Sequence, residues 1–90
     1  IIGAIALDIR SINENGYIGI ESPALTHSLI IQELIEATQR DVRVRVFTDR
    51  DSYNKLTNKF ANTNIRITPM DNLHAKRIII NMGHDSIVWL

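Results

Sequence analysis

The sequence predicts an α/β fold: a mostly parallel sheet with flanking helices and a C-terminal antiparallel hairpin. Apolar residues recur at helical spacing in three segments, and a short stretch with the character of a strand follows each of them. Helices of roughly ten to fifteen residues between strands imply right-handed crossovers, which connect parallel strands. The composition agrees, since sixteen isoleucines and four valines favour the core of a sheet.

Length and composition predict a single domain over residues 1–90. Hydrophobic residues make up 44% of the chain, enough to form one core, and ten basic residues balance ten acidic ones. This balance argues against a polybasic nucleic-acid clamp, and the absence of cysteine excludes disulfides and thiolate chemistry. No apolar run has the length of a membrane span and no secretion signal is visible, so we expect a cytoplasmic location.

Both ends of the sequence fall at unusual places. It starts at Ile1 rather than at methionine, and it stops within the apolar run 87–90, where a chain carboxylate would lie near the core. We therefore expect these residues to be part of a longer protein.

The first two elements follow from spacing and from a helix-ending segment. An apolar stripe at steps of three and four residues predicts a helix. Residues 13–16 end it, because Asn and Gly both tolerate the left-handed conformation found after helices. A short strand over 17–20 follows. The stripe consists of Ile2, Ile5, Ile9 and Ile12.

The next helix and strand have clear boundary signals. Ser22 and Pro23 predict the start of a second helix that runs to about Gln39, since serine caps helices and proline suits the first turn. Valine alternates with arginine over 42–46, and Phe47 closes this strand.

Four further elements complete the prediction. Ser52 is the expected cap of a third helix, whose apolar stripe is Tyr53, Leu56 and Phe60. Strands are predicted over 65–67, 74–81 and 86–90. The glycine-containing turn before residue 86 makes the last two strands an antiparallel hairpin.

Arg43 and Arg45 share one face of their strand because side chains alternate with period two. A contact with phosphate is one interpretation of the pair. Solvation, or pairing with Glu33 or Glu36 of the preceding helix, is the interpretation that we favour from the sequence.

His74 and Lys76 are the residues that most clearly suggest chemistry. Two residues apart in a strand, they project side by side on one face of the sheet. An imidazole can attack phosphorus or transfer a proton, and an ammonium can bind phosphoryl oxygens, so the pair suits phosphate chemistry without a metal or a cofactor.

Three segments in order resemble the phospholipase D superfamily. Residues 37–46 read ATQRDVRVRV, residues 65–67 read IRI, and residues 72–80 read NLHAKRIII. The superfamily has a helix that runs into a strand through A-x-x-R-G-V-x-V-R-V, and a later strand with H-x-K-x4-D. Here Asp41 stands where glycine is usual, and Asn81 stands where the aspartate is expected.

The resemblance implies a metal-independent phosphodiesterase acting on a phospholipid or nucleic-acid phosphodiester. His74 would form a phosphohistidine or act as general acid, and Lys76 would hold the phosphate, with Asn81 as a second substrate-binding residue. The superfamily places two such motifs at one site, and this sequence contains one. The resemblance therefore implies a homodimer that brings two His74 residues together across a two-fold axis.

Other functions stay open at this point. Some TrmB-type transcription regulators also resemble this sequence, and use such a domain without catalysis to sense ligands or to dimerise. A degenerate interaction domain is a third option. A metal site of His74, His84 and Asp85 is conceivable from the ligand types, but His84 and Asp85 fit a hairpin turn better.

Overall fold

The computed structural model describes residues 2–13, 15–71, 77–82 and 85–89. Its helices and strands alternate as α-β-α-β-α-β-β-β, which confirms the predicted order. The helices are α1 (Ile2–Arg10), α2 (Ser28–Gln39) and α3 (Arg50–Lys59). The strands are β1 (Tyr17–Glu21), β2 (Arg43–Thr48), β3 (Arg66–Pro69), β4 (Arg77–Met82) and β5 (Asp85–Trp89).

The five strands form one mixed sheet in the order β3-β2-β1-β4-β5. β1, β2 and β3 run parallel to one another, whereas β4 runs antiparallel to both β1 and β5. The C-terminal antiparallel pair is confirmed. The prediction of a mostly parallel sheet is wrong, because two of the four strand pairs are antiparallel.

The length of the connection before β4 explains the change of direction. Seven residues (70–76) separate Pro69 from Arg77, whereas a crossover between parallel strands needs a dozen or more residues. The chain therefore enters β4 at the edge where β3 ends, and β4 runs back against β1.

The helices of the parallel unit lie on one face of the sheet. Both crossovers step in the same direction across it, and right-handed crossovers of that kind place α2 and α3 on the same side. Accordingly Leu34 of α2 and Leu56 of α3 join Val44 in one hydrophobic cluster. The side chains that alternate with Val44 on β2, Arg43 and Arg45, are exposed on the other face, which we call the open face.

The end of α1 follows the sequence prediction. Ile5, Ile9 and Ile12 are buried in the cluster, and Asn15 adopts the left-handed conformation with φ 70°. Gly16 is needed for close approach, because a Cβ at this position would lie 2.2 Å from Cγ2 of Ile12.

The predicted start of α2 at Ser22 and Pro23 is wrong. The helix begins at Ser28, and His27 takes the N-cap position without a side-chain hydrogen bond. The backbone N–H of Ser22 donates to the carbonyl of Phe47, at 3.0 Å, and so continues the contact between β1 and β2. The carbonyl of Pro23 is also occupied by bonds to another part of the chain, so this segment cannot use it for a helical turn.

The predicted cap of α3 is also wrong. Asp49, not Ser52, is the N-cap residue, and its carboxylate accepts a hydrogen bond of 2.8 Å from the backbone N–H of Ser52. The hydroxyl of Ser52 donates instead to the carbonyl of Pro23. The predicted apolar stripe holds at Leu56 and Phe60, which are buried.

Candidate functional site

β4 begins at the edge of the sheet where the parallel strands end. Its first residue, Arg77, is the register partner of Glu21, the last residue of β1. The predicted catalytic residues His74 and Lys76 come three residues and one residue before Arg77, and they lie outside the described residues. Ligands of open α/β sheets commonly bind at the carboxyl ends of the parallel strands. β4 therefore begins at an edge of the kind that carries sites, and the predicted pair precedes β4 in the sequence.

One backbone oxygen accepts three hydrogen bonds at the carboxyl edge, the edge where β1, β2 and β3 end. The carbonyl of Pro23 accepts hydrogen bonds from the hydroxyls of Thr48 at 3.2 Å and Ser52 at 3.1 Å, and from the backbone N–H of Asp49 at 3.4 Å. Thr48 and Ser52 are buried. These bonds fix the segment after β1 against the end of β2 and the first turn of α3, which gives the edge a rigid frame.

Two arginines at this edge form ion pairs with carboxylates. Arg77 donates to Glu21 at 3.0 Å, so its guanidinium is already engaged by a carboxylate. Arg50 donates to Asp71 at 2.9 Å, and this hydrogen bond, followed by the positive charge of Arg50, lowers the pKa of the Asp71 carboxyl. Because each of these arginines already binds a carboxylate, neither is a substitute for Lys76 in the phosphate-binding role that the resemblance implies.

Asn81 lies at the other end of β4. Its register partner is Tyr17, the first residue of β1, and it follows Arg77 by four residues, which in a strand is about 13 Å. Asn81 and Arg77 share a strand face by period two. The structure therefore does not bring Asn81 next to the start of β4, and its implied role in substrate binding stays a prediction.

The described residues contain a second polar feature, at the opposite edge. A groove of about 730 Å³ opens at the amino ends of β2 and β3. Its charged lining residues are Arg43, Arg45 and Arg66, together with Asp41. We call this feature the arginine groove. The remaining described lining residues are Tyr17, Thr38, Val42, Val44 and Asn64.

The favoured interpretation of Arg43 and Arg45 as partners of helix α2 does not hold for Glu33. This glutamate is buried, at 2% exposure, and accepts hydrogen bonds from Nε of Arg10, at 3.0 Å, and from its Nη2. Exposure of both arginines agrees with the other half of that interpretation, solvation. The sequence contained a usable signal for the groove, since Arg43, Arg45 and Arg66 all alternate with core residues, but it lacked the register that places Arg66 beside Arg45.

Asp41 has a conformation that explains its departure from the superfamily pattern. Its φ of 63° lies in the left-handed region, which glycine adopts freely and Asp or Asn tolerate better than other residues. The requirement at this position is thus one of backbone geometry, and aspartate meets it.

The described residues do not test the metal site of His74, His84 and Asp85 that the sequence suggests. Within the described ranges, no three His, Asp or Glu residues are grouped so that they could hold a metal ion. His74 and His84 are outside those ranges. None of the described helices has the length and apolar character that crossing a bilayer requires.

Comparisons with known proteins reach the level of the fold. No family model and no curated protein matches the chain. Among solved structures, the chain is similar to one whose fold is of the phospholipase D superfamily. That structure is the polyphosphate kinase from Porphyromonas gingivalis, with a TM-score of 0.62 and 16% sequence identity. The likeness covers 97% of this chain and 15% of the kinase, so the chain spans a small part of that protein.

At this identity the likeness shows the fold alone. It agrees with the superfamily that the sequence motifs predict, and that superfamily stays a prediction for this chain. The catalytic roles of His74 and Lys76, the substrate and the oligomeric state are matters for proposal.

Proposed function

We propose that this chain forms part of a phosphoryl-transfer protein, a metal-independent phosphodiesterase of phospholipase D type, with its reaction centre at the carboxyl edge. One observation carries the proposal: the segment with His74 and Lys76 leads into β4 at the edge where the parallel strands end, in a fold similar to that of a polyphosphate kinase. The rigid frame around the Pro23 carbonyl supports it, because a reaction centre needs fixed surroundings.

The proposed first step forms a covalent intermediate. A ring nitrogen of His74 attacks the phosphorus atom, the bond from phosphorus to the leaving oxygen breaks, and a second histidine gives that oxygen a proton. Water then attacks the phosphohistidine, the phosphorus–nitrogen bond breaks, and the second histidine takes back a proton from the water. The Lys76 ammonium binds the phosphoryl oxygens as their negative charge grows.

The second histidine is proposed to be His74 of another copy of the chain. A two-fold dimer supplies it without further sequence, because both copies then contribute the same residue to one centre. Asn81 enters this scheme only with a substrate that reaches about 13 Å along β4 from Arg77, as a phospholipid or a nucleic-acid strand does.

The proposal is tested with the full-length protein, a generic phosphodiester and EDTA. Hydrolysis should persist under chelation, and His74→Ala should lower the rate by at least about 100-fold, because the nucleophile is lost. Denaturing the wild type with alkali during turnover should trap a phosphoryl group on a histidine nitrogen, detectable by ³¹P NMR, because the phosphorus–nitrogen bond of a phosphohistidine survives alkali and is cleaved by acid. His27→Ala is the matched control, since His27 is exposed at the N-cap of α2 and makes no side-chain cap bond.

The alternative is a non-catalytic sensing or dimerisation domain of a TrmB-type regulator. The amide at Asn81, in place of the superfamily's aspartate, is the observation that favours it. This alternative gives a different result: neither hydrolysis nor phosphohistidine in the wild type, and a rise in the melting temperature with a sugar ligand. A wild-type rate that His74→Ala leaves unchanged would contradict the catalytic proposal directly.

A further inference from the structure

The arginine groove combines three guanidinium groups on one surface. Arg43 and Arg45 are two residues apart in β2, which separates their Cα atoms by about 6.7 Å. Arg66 is the register partner of Arg45 on β3, at the spacing of about 4.8 Å between neighbouring strands. All three side chains are exposed on the open face. Three cations thus lie close together in a chain whose net charge is zero.

These cations lack carboxylate partners within the part of the chain that the structure describes. The ion pairs found there involve Arg10, Arg50 and Arg77. Arg45 lies over the ring of Phe47, 5.2 Å from its centroid, and this contact leaves the outward side of the guanidinium accessible. Asp41 is the single acidic residue among the described residues of the groove. The surface therefore favours an anionic ligand with several charges.

Aromatic rings accompany the arginines on the open face. Tyr17 lies against Gly19, since a Cβ at Gly19 would meet Oη of Tyr17 at 2.9 Å and its Cε1 at 3.0 Å. Gly19 is in turn the register partner of Arg45. Phe47 lies on the same strand face as Arg45, and both rings are partly exposed. Rings beside guanidinium groups on an open sheet form a surface on which bases stack while phosphates are neutralised.

We infer that the arginine groove binds a single strand of nucleic acid, with its phosphates on Arg43, Arg45 and Arg66 and its bases against Tyr17 and Phe47. A small anion would use one guanidinium pair and no ring. The groove of about 730 Å³ instead offers a row of cations next to aromatic surface. The three arginines and Tyr17 lie toward the amino ends of their strands, whereas Phe47 is the register partner of Glu21 near the carboxyl edge. None of these residues takes part in the proposed reaction at His74, so the inference does not depend on catalysis there.

Fluorescence anisotropy of labelled twelve-nucleotide dT and rU strands, titrated with the full-length protein, tests this inference. Three phosphate contacts predict a slope of about −2 for log affinity against log salt, so affinity should fall about 20-fold between 50 and 200 mM salt. Arg45→Gln/Arg66→Gln should weaken binding at least 10-fold at 50 mM and reduce the slope to about −0.7. Lys55→Gln/Lys59→Gln removes the same charge from the exposed side of α3 and should change neither value.

The rings are tested separately. Tyr17→Leu and Phe47→Leu should each weaken binding of the single strand by about 10-fold through lost stacking. Thermal melts show whether each ring variant folds. If one does not fold, the binding affinity of the other is the test. Inorganic polyphosphate of equal charge should compete poorly, because it has no bases.

Three results would overturn the inference. The first is no binding of either labelled strand by the full-length protein. The second is equal loss in the arginine and lysine double variants. The third is equal competition by polyphosphate together with unaffected ring variants, which would make the groove a general polyanion surface. His74→Ala should bind the strand like the wild type, so this test and that of the proposed function fail independently.

Discussion

Arginine residues have different roles on the helical side of the sheet and on the open face. On the helical side, Arg10 donates to the buried Glu33, and Arg40 donates to the carbonyls of Ile9, at 3.0 Å, and Ile12, at 3.1 Å, beyond the end of α1. On the open face, the three arginines of the groove have no carboxylate partner among the described residues. Charge neutrality of the whole chain thus hides a difference between its two sides. The arginines named on the helical side stabilise the fold, whereas the three of the groove carry no ion pair among the described residues, unlike Arg77, which shares their face and pairs with Glu21.

The largest expected effect is the loss of stability when a buried side chain, rather than one on the open face, is shortened to alanine. Ile20 of β1 has no exposed surface, so Ile20→Ala should lower the free energy of unfolding by about 2–5 kcal/mol. Arg45→Ala on the open face removes only an exposed contact with the Phe47 ring and should lower it by no more than about 1 kcal/mol. Urea unfolding of both variants measures the difference. A loss at Arg45 as large as that at Ile20 would mean that the open face is packed, and would break the comparison.

A smaller loss of stability should distinguish an arginine that bonds to the backbone of the fold from an unpaired arginine of the groove. Arg40→Met removes two hydrogen bonds from a charged donor to carbonyls of α1 and of the turn after it, and should lower the free energy of unfolding by about 1–2 kcal/mol. Arg43→Met removes the same charge from the open face and should be nearly neutral. Faster hydrogen exchange in the last turn of α1, seen in the first variant only, would locate the loss. Equal losses in the two variants would contradict the division of roles.

The smallest effect concerns the exposed pair of Arg50 and Asp71. Because Arg50 lowers the pKa of the Asp71 carboxyl, the pair stabilises the folded state above the ordinary carboxyl pKa, and this contribution is lost as pH falls through the lowered value. Both side chains are about two-thirds exposed, so the effect on unfolding is small and weakens with salt. NMR titration should show the Asp71 pKa rising to its ordinary range in Arg50→Gln. An unchanged pKa would show that the pair does not form in solution.

Local patterns were sufficient for the order of the elements and for the strand alternation at Arg43 and Arg45. They failed where a distant contact decides the outcome. Ser22 and Pro23 have the local chemistry of a helix start, but contacts with β2 and α3 hold that segment outside the helix. The sheet is mixed because the connection before β4 is too short for a parallel crossover. The sequence shows this short connection, but the alternation of helices and strands before it favours a parallel sheet.

The two candidate sites differ in how far the sequence could predict them. His74 and Lys76 stand out as residue types at strand spacing, and their assignment to a site rests on motif and chain position. The arginine groove depends on strand register and on which face the helices leave open, neither of which a single sequence displays. Arg45 and Arg66 are twenty-one positions apart, and only the parallel pairing of β2 with β3 makes them neighbours.

The left-handed backbone at Asp41 bears on how distant members of this fold are detected. A search pattern that demands glycine between Arg40 and Val42 treats a torsional requirement as a chemical one, and it discards every chain that satisfies the torsion with aspartate or asparagine. A pattern that accepts all three residues there, and places its weight on the alternating valines, would retrieve sequences like this one.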